Sequence, residues 1–185
     1  MAKTKGSPLI ATMEFIRSEK GEDVLDRVLS RLDPDARERI TTCKPTDEFP
    51  MELAVALWRA ADEELREGEP DWVERAGGYS IEVPGVRMYS GLLRKSSPTE
   101  FLTQRVSLFR LYYHPGNMEV VEEEEEHAVL RLVGFDGADP LFCRRQTGGL
   151  RRALTEAGGQ EPLASHVRCV VEGDAFCEWE LRWRE

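Results

Sequence analysis

The sequence has 185 residues, of which 41% are hydrophobic and 32% charged, with a formal net charge of −10. This composition is typical of a folded globular chain. A pI near 5.0 argues against nucleic acid and anionic membrane surfaces as partners, because both select for clustered Lys and Arg. The N-terminus lacks the apolar core of a signal peptide, and no window is apolar enough to span a bilayer. We therefore predict a soluble cytoplasmic protein whose four cysteines are mostly reduced thiols.

Helix start and stop signals organise the N-terminal part of the chain. A serine or aspartate directly before a proline predicts a capped helix start, and a glycine after an apolar stripe predicts its end. On these signals we predict helices from Ser7 to Gly21, from about Glu22 to Leu32, from Asp33-Pro34 onward, from Pro50 to Gly68, and from Glu69 to the glycine stop at Gly77-Gly78.

The middle of the chain carries one clear helix signal after an ambiguous stretch. From Tyr79 to Lys95, prolines and glycines interrupt any long element, and no assignment is made. Ser97 and Glu100 then form a capping box, which predicts a helix through Tyr113. Two strands follow, Met118 to Glu123 and His127 to Phe135, joined within a run of glutamates that we interpret as a solvated hairpin tip rather than a cation site.

The C-terminal part adds a helix and a second hairpin. Asp139-Pro140 predicts a helix start, and the helix runs to about Ala157, with Gly148-Gly149 in its middle placed to allow close packing on the sheet. The fold class is therefore α+β, with N-terminal helices packed on a four-stranded antiparallel sheet formed by two hairpins with a crossover helix. We predict one domain spanning residues 1–185, with a helical part at about 7–114 and a sheet-containing part at about 117–184.

The last hairpin, from Leu163 to Trp183, carries two of the cysteines. Alternation places Cys177, Trp179, Leu181 and Trp183 on one face of the second strand, and Leu163, Val167, Cys169 and Val171 on one face of the first. These faces coincide only if odd positions pair with odd positions. Two registers satisfy this condition, one with Cys169 opposite Cys177 and the other with Val171 opposite Cys177. Both predict two neighbouring thiols on the buried face.

Several interpretations of Cys169 and Cys177 remain open at this stage. Buried cysteine most often packs as a small hydrophobe, which is the favoured interpretation. The pair also suits a redox couple or a position beside a ligand, together with Trp179. A zinc site requires about four ligands, and the others would have to come from Cys43, Cys143, His127 or His166 through folding alone. Since Cys-x7-Cys is not the spacing of a zinc knuckle, metal is given little weight and no metal site is predicted. His166 is expected on the solvent face, and no catalytic residue is predicted.

Three segments of the chain resemble known families. The opening PLIATMEFIRSEKGEDVLDRVL is similar to the first two helices of haem nitric-oxide/oxygen-binding domains. The closing VRCVVEGDAFCEWELRW resembles the end of four-vinyl-reductase-type domains. With AVALWRAADEEL, ERAGGYS and GGLRRALTEAGG in order, the whole chain most resembles a myxobacterial paralogous family of unknown function in the same NO-signalling and Golgi-transport superfamily, to which small subunits of the TRAPP tethering complex also belong.

The resemblance implies a mixed helical and antiparallel fold, often dimeric, with an apolar ligand pocket between helices and sheet. Haem domains of this superfamily use a histidine on the helix before the sheet and a Tyr-x-Ser-x-Arg motif. The predicted helix from Ser97 to Tyr113 has no histidine, and the strand HAVLRLVGF lacks the motif. No cofactor is therefore expected, and haem least of all.

The leading hypothesis is a non-enzymatic domain of bacterial signalling or regulation that senses a small apolar molecule or binds a protein partner. It is expected to form a homodimer, with Trp183 as the candidate interface residue. The alternatives are a thiol-based redox or metal-binding switch that uses Cys169 and Cys177, and a purely structural subunit. Neither nucleic acid nor membrane is expected as a partner.

Overall fold

The computed structural model describes residues 1–81, 97, 98, 100, 102 and 109–184. Its helices are α1 (Gly6–Lys20), α2 (Glu22–Ser30), α3 (Pro34–Thr41), α4 (Met51–Leu65), α5 (Trp72–Ser80) and α6 (Pro140–Glu156). Its strands are β1 (Lys3–Lys5), β2 (Glu48–Pro50), β3 (Tyr113–His114), β4 (Asn117–Glu124), β5 (His127–Val133), β6 (Gln160–Arg168) and β7 (Cys177–Arg184). Most of the stretch left unassigned above, from Tyr79 to Lys95, lies outside the described residues.

The main sheet confirms the α+β prediction. Its four antiparallel strands have the order β4-β5-β7-β6, so the two hairpins pair through their inner strands, and α6 is the crossover between them. The inward face of β5 and β7 is buried against α6 and the N-terminal helices, with Leu130, Trp179 and Leu181 fully covered. This arrangement places α6 across the end of the sheet where β7 begins.

A small second sheet with the order β2-β1-β3 was not predicted. The predicted helix was expected to continue through Tyr113, but helical geometry ends at residue 112. Tyr113 and His114 pair instead with Thr4 and Lys3. Three strands of two or three residues carry too little alternation to stand out in the sequence.

Most of the predicted helix caps are observed. Asp33 accepts a hydrogen bond from the amide of Ala36 at 2.9 Å, and Asp139 accepts one from the amide of Leu141 at 2.9 Å. The Ser97 hydroxyl accepts from the amide of Glu100 at 3.2 Å, as the capping box requires. Ser7 is the exception, because α1 already begins at Gly6 and the Ser7 hydroxyl donates to the carbonyl of Pro45.

Two glycines allow α5 and α6 to touch backbone to backbone. The predicted helix stop at Gly77-Gly78 is wrong, since both residues lie inside α5. A Cβ on Gly77 would lie 2.1 Å from the carbonyl oxygen of Arg145, and one on Gly148 would lie 1.9 Å from that of Glu74. Gly148 therefore serves helix packing on α5 rather than packing on the sheet.

Candidate metal centre

Three cysteines and one histidine converge where α6 meets the last hairpin. Cys143 lies on α6, His166 on β6, Cys169 just after β6, and Cys177 at the start of β7. One donor atom from each residue falls within a group whose members are all within 4.8 Å of one another. The three thiols are buried and the imidazole is half-buried.

Helix α6 presents Cys143 from its capped first turn. The side chain of Asp139 accepts the amide of Leu141, and its carbonyl accepts the amide of Cys143 at 2.9 Å. Because both bonds fix this turn, the Cys143 sulfur faces the first residue of β7 at a defined distance. The Sγ atoms of Cys143 and Cys177 lie 3.8 Å apart.

A β-bulge turns His166 and Cys169 toward the same point. His166 lies opposite Trp179, but Arg168 lies opposite Glu178, so one extra residue is inserted between His166 and Arg168. Bulges of this kind re-aim the side chains that follow them. Without the bulge, an even and an odd residue of one strand would point to opposite faces of the sheet.

The predicted registers fail only before the bulge. After it, Arg168 lies opposite Glu178, which is the register predicted to place Cys169 opposite Cys177. Along most of β6 even positions pair with odd ones, as in Ala164 opposite Leu181. Leu163 and Val167, predicted to be buried, therefore face outward with exposures of 61% and 48%. His166, expected on the solvent face, turns inward. The burial predicted for Leu163 and Val167 was wrong because a strict period of two does not hold across an inserted residue.

The loop between the two strands holds Cys169 in place. Residues Val170–Glu172 form a 3₁₀ turn, and Gly173 follows with a φ of +100°, a left-handed conformation that favours glycine. The Asp174 carboxylate accepts the amide of Cys169 at 2.8 Å, and the Asp174 amide donates to the Cys169 carbonyl at 3.0 Å. Both polar groups of the Cys169 backbone are thus fixed within the loop.

The sulfur separation suits a shared ion and excludes an existing disulfide. Two sulfurs bound at about 2.3 Å to one tetrahedral zinc ion lie about 3.8 Å apart. This equals the 3.8 Å between Cys143 and Cys177. A disulfide would require about 2.05 Å. Three sulfurs and one imidazole nitrogen form a ligand set that is common in structural zinc sites.

The thiols of Cys143 and Cys177 share a proton when no ion is bound. A hydrogen bond from the Cys143 thiol, together with the imidazole of His166 and the backbone N–H of Val170, lowers the pKa of Cys177 to about 4. The same contact, with burial, raises the pKa of Cys143. One thiolate is therefore already present in this group at neutral pH, in the form that binds a metal.

Trp179 orients the histidine of the group. Its indole stacks on the His166 ring, and its Nε1 donates to the Thr147 hydroxyl at 2.9 Å. Nε2 of His166 is buried and has no hydrogen-bond partner in the described part of the protein. One ring nitrogen of His166 belongs to the group of donor atoms within 4.8 Å of one another, and an imidazole nitrogen beside three sulfurs is well suited to be a metal ligand.

The structure brings together the two cysteines that were predicted as neighbours and adds one cysteine and one histidine to the group. Cys169, Cys177 and Trp179 all belong to this region, whereas Cys43 lies outside the group. Cys143 and His166 were only possible partners in the sequence argument. The sequence signal for this group is a His-x2-Cys-x7-Cys pattern that follows a helix with an isolated cysteine. The pattern indicates a common site only if a bulge turns the histidine and the first cysteine to the same face.

The predicted interface residue lies inside the chain. Trp183 is 3% exposed and packs in the hydrophobic core, where its Cβ lies near Gly159. A side chain covered by its own chain offers almost no surface to a partner. The homodimer stays a prediction, but Trp183 is too buried to be the interface residue.

Comparison with known proteins supports the fold. No family model matches the chain, and no curated protein sequence is significantly similar to it. The H-NOX protein from K. algicida in its unliganded Fe(II) form has a TM-score of 0.72 at 12% identity, covering 98% of this chain and 97% of that one. The H-NOX protein from S. oneidensis in the Fe(II)NO state has a TM-score of 0.73 at 15% identity, covering 98% and 99%.

These comparisons show that the fold is similar to that of haem NO-binding (H-NOX) structures, which agrees with the fold that the predicted resemblance implies. At such low identity the likeness concerns the fold alone. The finer resemblances, to the myxobacterial family, to four-vinyl-reductase domains and to TRAPP subunits, stay predictions. No helix in the described part of the chain has the length and apolarity required to cross a membrane.

The sequence has three histidines that could bind a haem iron. His114 is exposed on β3, and Nε2 of His127 lies 3.2 Å from a carboxylate oxygen of Glu180 on the sheet. His166 belongs to the cysteine group. None of the three is placed on a helix to bind iron between helices and sheet, so the described side chains do not fit a histidine-bound haem.

Proposed function

We propose that this chain is a non-enzymatic sensing or interaction domain in which one zinc ion ties the last hairpin to α6. The ligands would be Cys143, His166, Cys169 and Cys177. The observation that carries the proposal is the convergence of four donor atoms within 4.8 Å from three separate elements. Four protein ligands leave no open position, so the ion would be structural rather than catalytic.

The donor set favours zinc over harder ions. Thiolates select soft or borderline metals, while calcium and magnesium require oxygen ligands. Trp179 and Thr147 supply the outer contacts that such ligands need, because they hold the imidazole and the helix turn of Cys143. Zinc would join α6, β6 and β7 at their common end.

A sensing or interaction role is supported by the fold and by the closed nature of the centre. The H-NOX proteins of similar fold are described with Fe(II) and with NO as ligand. Within the residues that the structure describes, no nucleophile is held by a base in an open cleft. The binding site for a ligand or a protein partner would therefore lie outside the metal centre.

The proposal is tested by the metal content of the purified protein. We expect about one zinc per chain by plasma mass spectrometry, and loss of stoichiometric zinc in Cys177→Ser and Cys143→Ser. Cys43→Ser is the matched control, since Cys43 is a free thiol outside the group. Protein purified without chelators that neither contains nor takes up zinc would overturn the proposal. Equal zinc content in Cys43→Ser and Cys177→Ser would also contradict it.

The second candidate is a thiol switch, favoured by the shared proton of Cys143 and Cys177. In this reaction both thiols lose their hydrogens, a sulfur–sulfur bond forms, and hydrogen peroxide is reduced to water. Cys177 is 1% exposed, whereas reactive thiols are partly accessible. Peroxide treatment of the metal-free protein followed by peptide mapping tests this candidate. Rapid formation of a Cys143–Cys177 disulfide would support the thiol switch, and thiols that stay unoxidised would rule it out.

A further inference from the structure

A small cavity lies between α1, α5, α6 and the segment Tyr112-Tyr113. Its volume is about 40 Å³. That space holds a few water molecules or a small polar group. The polar residues that line it are Ser7, Ser80, Tyr112, Tyr113, Arg145 and Gln146.

Arg145 lines this cavity with a buried cation. The residue is 3% exposed, and its Nη1 atom has no hydrogen-bond partner. Its side chain is hydrogen-bonded to Tyr113. Its Nη2 atom lies 3.5 Å from the carbonyl oxygen of Pro8, and the guanidinium lies 5.5 Å from the ring centre of Trp58. No carboxylate pairs with Arg145 among the residues that the structure describes.

Neighbouring Arg144 on the same helix is paired with a carboxylate, as arginines in proteins commonly are. It forms two hydrogen bonds with the Glu74 carboxylate, each at 2.7 Å. A guanidinium stays protonated in proteins, so Arg145 carries its charge into the interior. Burial lowers the pKa of Arg145, and the nearby Tyr113 raises it. An uncompensated buried charge costs stability, and its retention requires an explanation in function.

We propose that Arg145 is the anion-recognition residue of a ligand pocket, and that the ligand enters it with a carboxylate group. A carboxylate is planar and matches the guanidinium fork. Its three heavy atoms suit the small volume of the cavity. The Ser7 and Ser80 hydroxyls already donate to the carbonyls of Pro45 and Gly77, so the guanidinium of Arg145 is the donor on which a singly charged head would depend. A tetrahedral phosphate is larger and requires more cationic donors.

This inference deepens the proposed sensing function and rests on it, but it is independent of the zinc centre. The apolar ligand expected from the sequence becomes an amphiphilic one, with a carboxylate head against Arg145. The charge of the head gives specificity because a neutral analogue leaves the guanidinium unpaired.

The experiment compares acids with their neutral amides on the zinc-loaded, full-length protein. Acetate, butyrate and hexanoate are titrated against acetamide, butanamide and hexanamide by calorimetry and thermal unfolding. We expect at least one acid to raise the Tm and to bind about ten to a hundred times more tightly than its amide, the range for a hydrogen bond to a charged group. This comparison requires no variant.

Variants then test Arg145 itself. In Arg145→Met we expect a higher Tm without probe, because an unpaired buried charge is removed, and loss of the Tm rise with acid. Arg144→Met, which removes a paired arginine one residue away, should keep the response to acid.

Three results would overturn the pocket. They are equal binding of acid and amide, an undiminished acid response in Arg145→Met, and a response to inorganic phosphate alone. Zinc content separates the two proposals, since bound zinc without any acid response rejects the pocket and leaves the centre intact. If neither zinc nor any probe binds, both proposals fail.

Discussion

The imidazole of His166 lies nearly parallel to the indole of Trp179, with ring centres 4.6 Å apart and planes 22° apart. Nε1 of the same indole donates to the hydroxyl of Thr147 at 2.9 Å, and that hydroxyl donates to the carbonyl of Cys143 at 3.0 Å. One tryptophan thus connects a ligand on β6 with a ligand on α6. Trp179 therefore does more than fill the core, because it fixes the position of the His166 ring relative to the helix turn that carries Cys143.

The first prediction concerns this outer contact. Thr147→Val keeps the shape of the side chain but removes the hydroxyl that receives the indole N–H. We expect zinc affinity to fall about tenfold to a hundredfold, measured by competition with a chromophoric chelator. Thr155→Val is the matched control, because Thr155 makes the same type of bond to the carbonyl of Arg151 on an exposed part of α6. Equal affinity in both variants would show that the contact only packs the core.

The second prediction concerns the pH dependence of the metal-free protein. The Cys177 pKa of about 4 lies far below the ordinary thiol value of 9.0. Between these values the folded chain binds fewer protons than the unfolded chain, so stability rises with pH in that window. The raised pKa of Cys143 acts oppositely, because above pH 9 the unfolded chain releases a proton that the folded chain keeps.

Urea unfolding after zinc removal measures this effect. From about pH 5.5 to about pH 8.5 we expect the free energy of unfolding to rise by more than about 1 kcal/mol relative to Cys177→Ser, since one pKa unit corresponds to about 1.4 kcal/mol. The difference between the two proteins isolates the thiol contribution from other titrating groups. Parallel pH profiles would mean that Cys177 stays protonated and that no proton is shared.

The third prediction concerns the contact between α5 and α6. A Cβ on Gly148 would lie 1.9 Å from the carbonyl oxygen of Glu74, and neither backbone can yield without separating the helices. We expect Gly148→Ala to destabilise the protein by about 3 kcal/mol or more, at or above the upper end of the range for overpacking. Gly68→Ala, whose nearest contact would be at 4.0 Å, should change stability by less than about 0.5 kcal/mol. Thermal unfolding of both variants provides the comparison.

The sequence predicted long elements well because their signals are local. Asp33 and Asp139 cap the helices that they were expected to cap, and the glutamate run turns between β4 and β5, with Glu126 at a positive φ. Each of these signals lies within a few residues of the structure that it specifies. The α+β class follows from the order of such elements alone.

The metal centre was harder to predict because it depends on distant and irregular features. The relation of Cys143 to Cys177 spans 34 residues and exists only when α6 crosses the start of β7. His166 and Cys169 share a face only because of a bulge, and residue propensities for strands do not predict where a bulge occurs. The same limit applies to Gly77, since a helix stop and a close helix contact both favour glycine.

The last prediction tests whether the hairpin loop is preorganised for the metal. Gly173 and Gly158 both have positive φ angles, +100° and +94°, and a Cβ on either would meet nothing within 4 Å. Alanine at either position should therefore cost about 1–2 kcal/mol through backbone strain alone. Gly173 follows the turn that positions Cys169, whereas Gly158 lies beyond the opposite end of α6 from Cys143. We expect both variants to lose similar stability when metal-free, but only Gly173→Ala to bind zinc more weakly, by about tenfold. Chelator competition on the two proteins decides the point, and an equal loss of affinity would mean that the loop adapts to the ion rather than preparing its site.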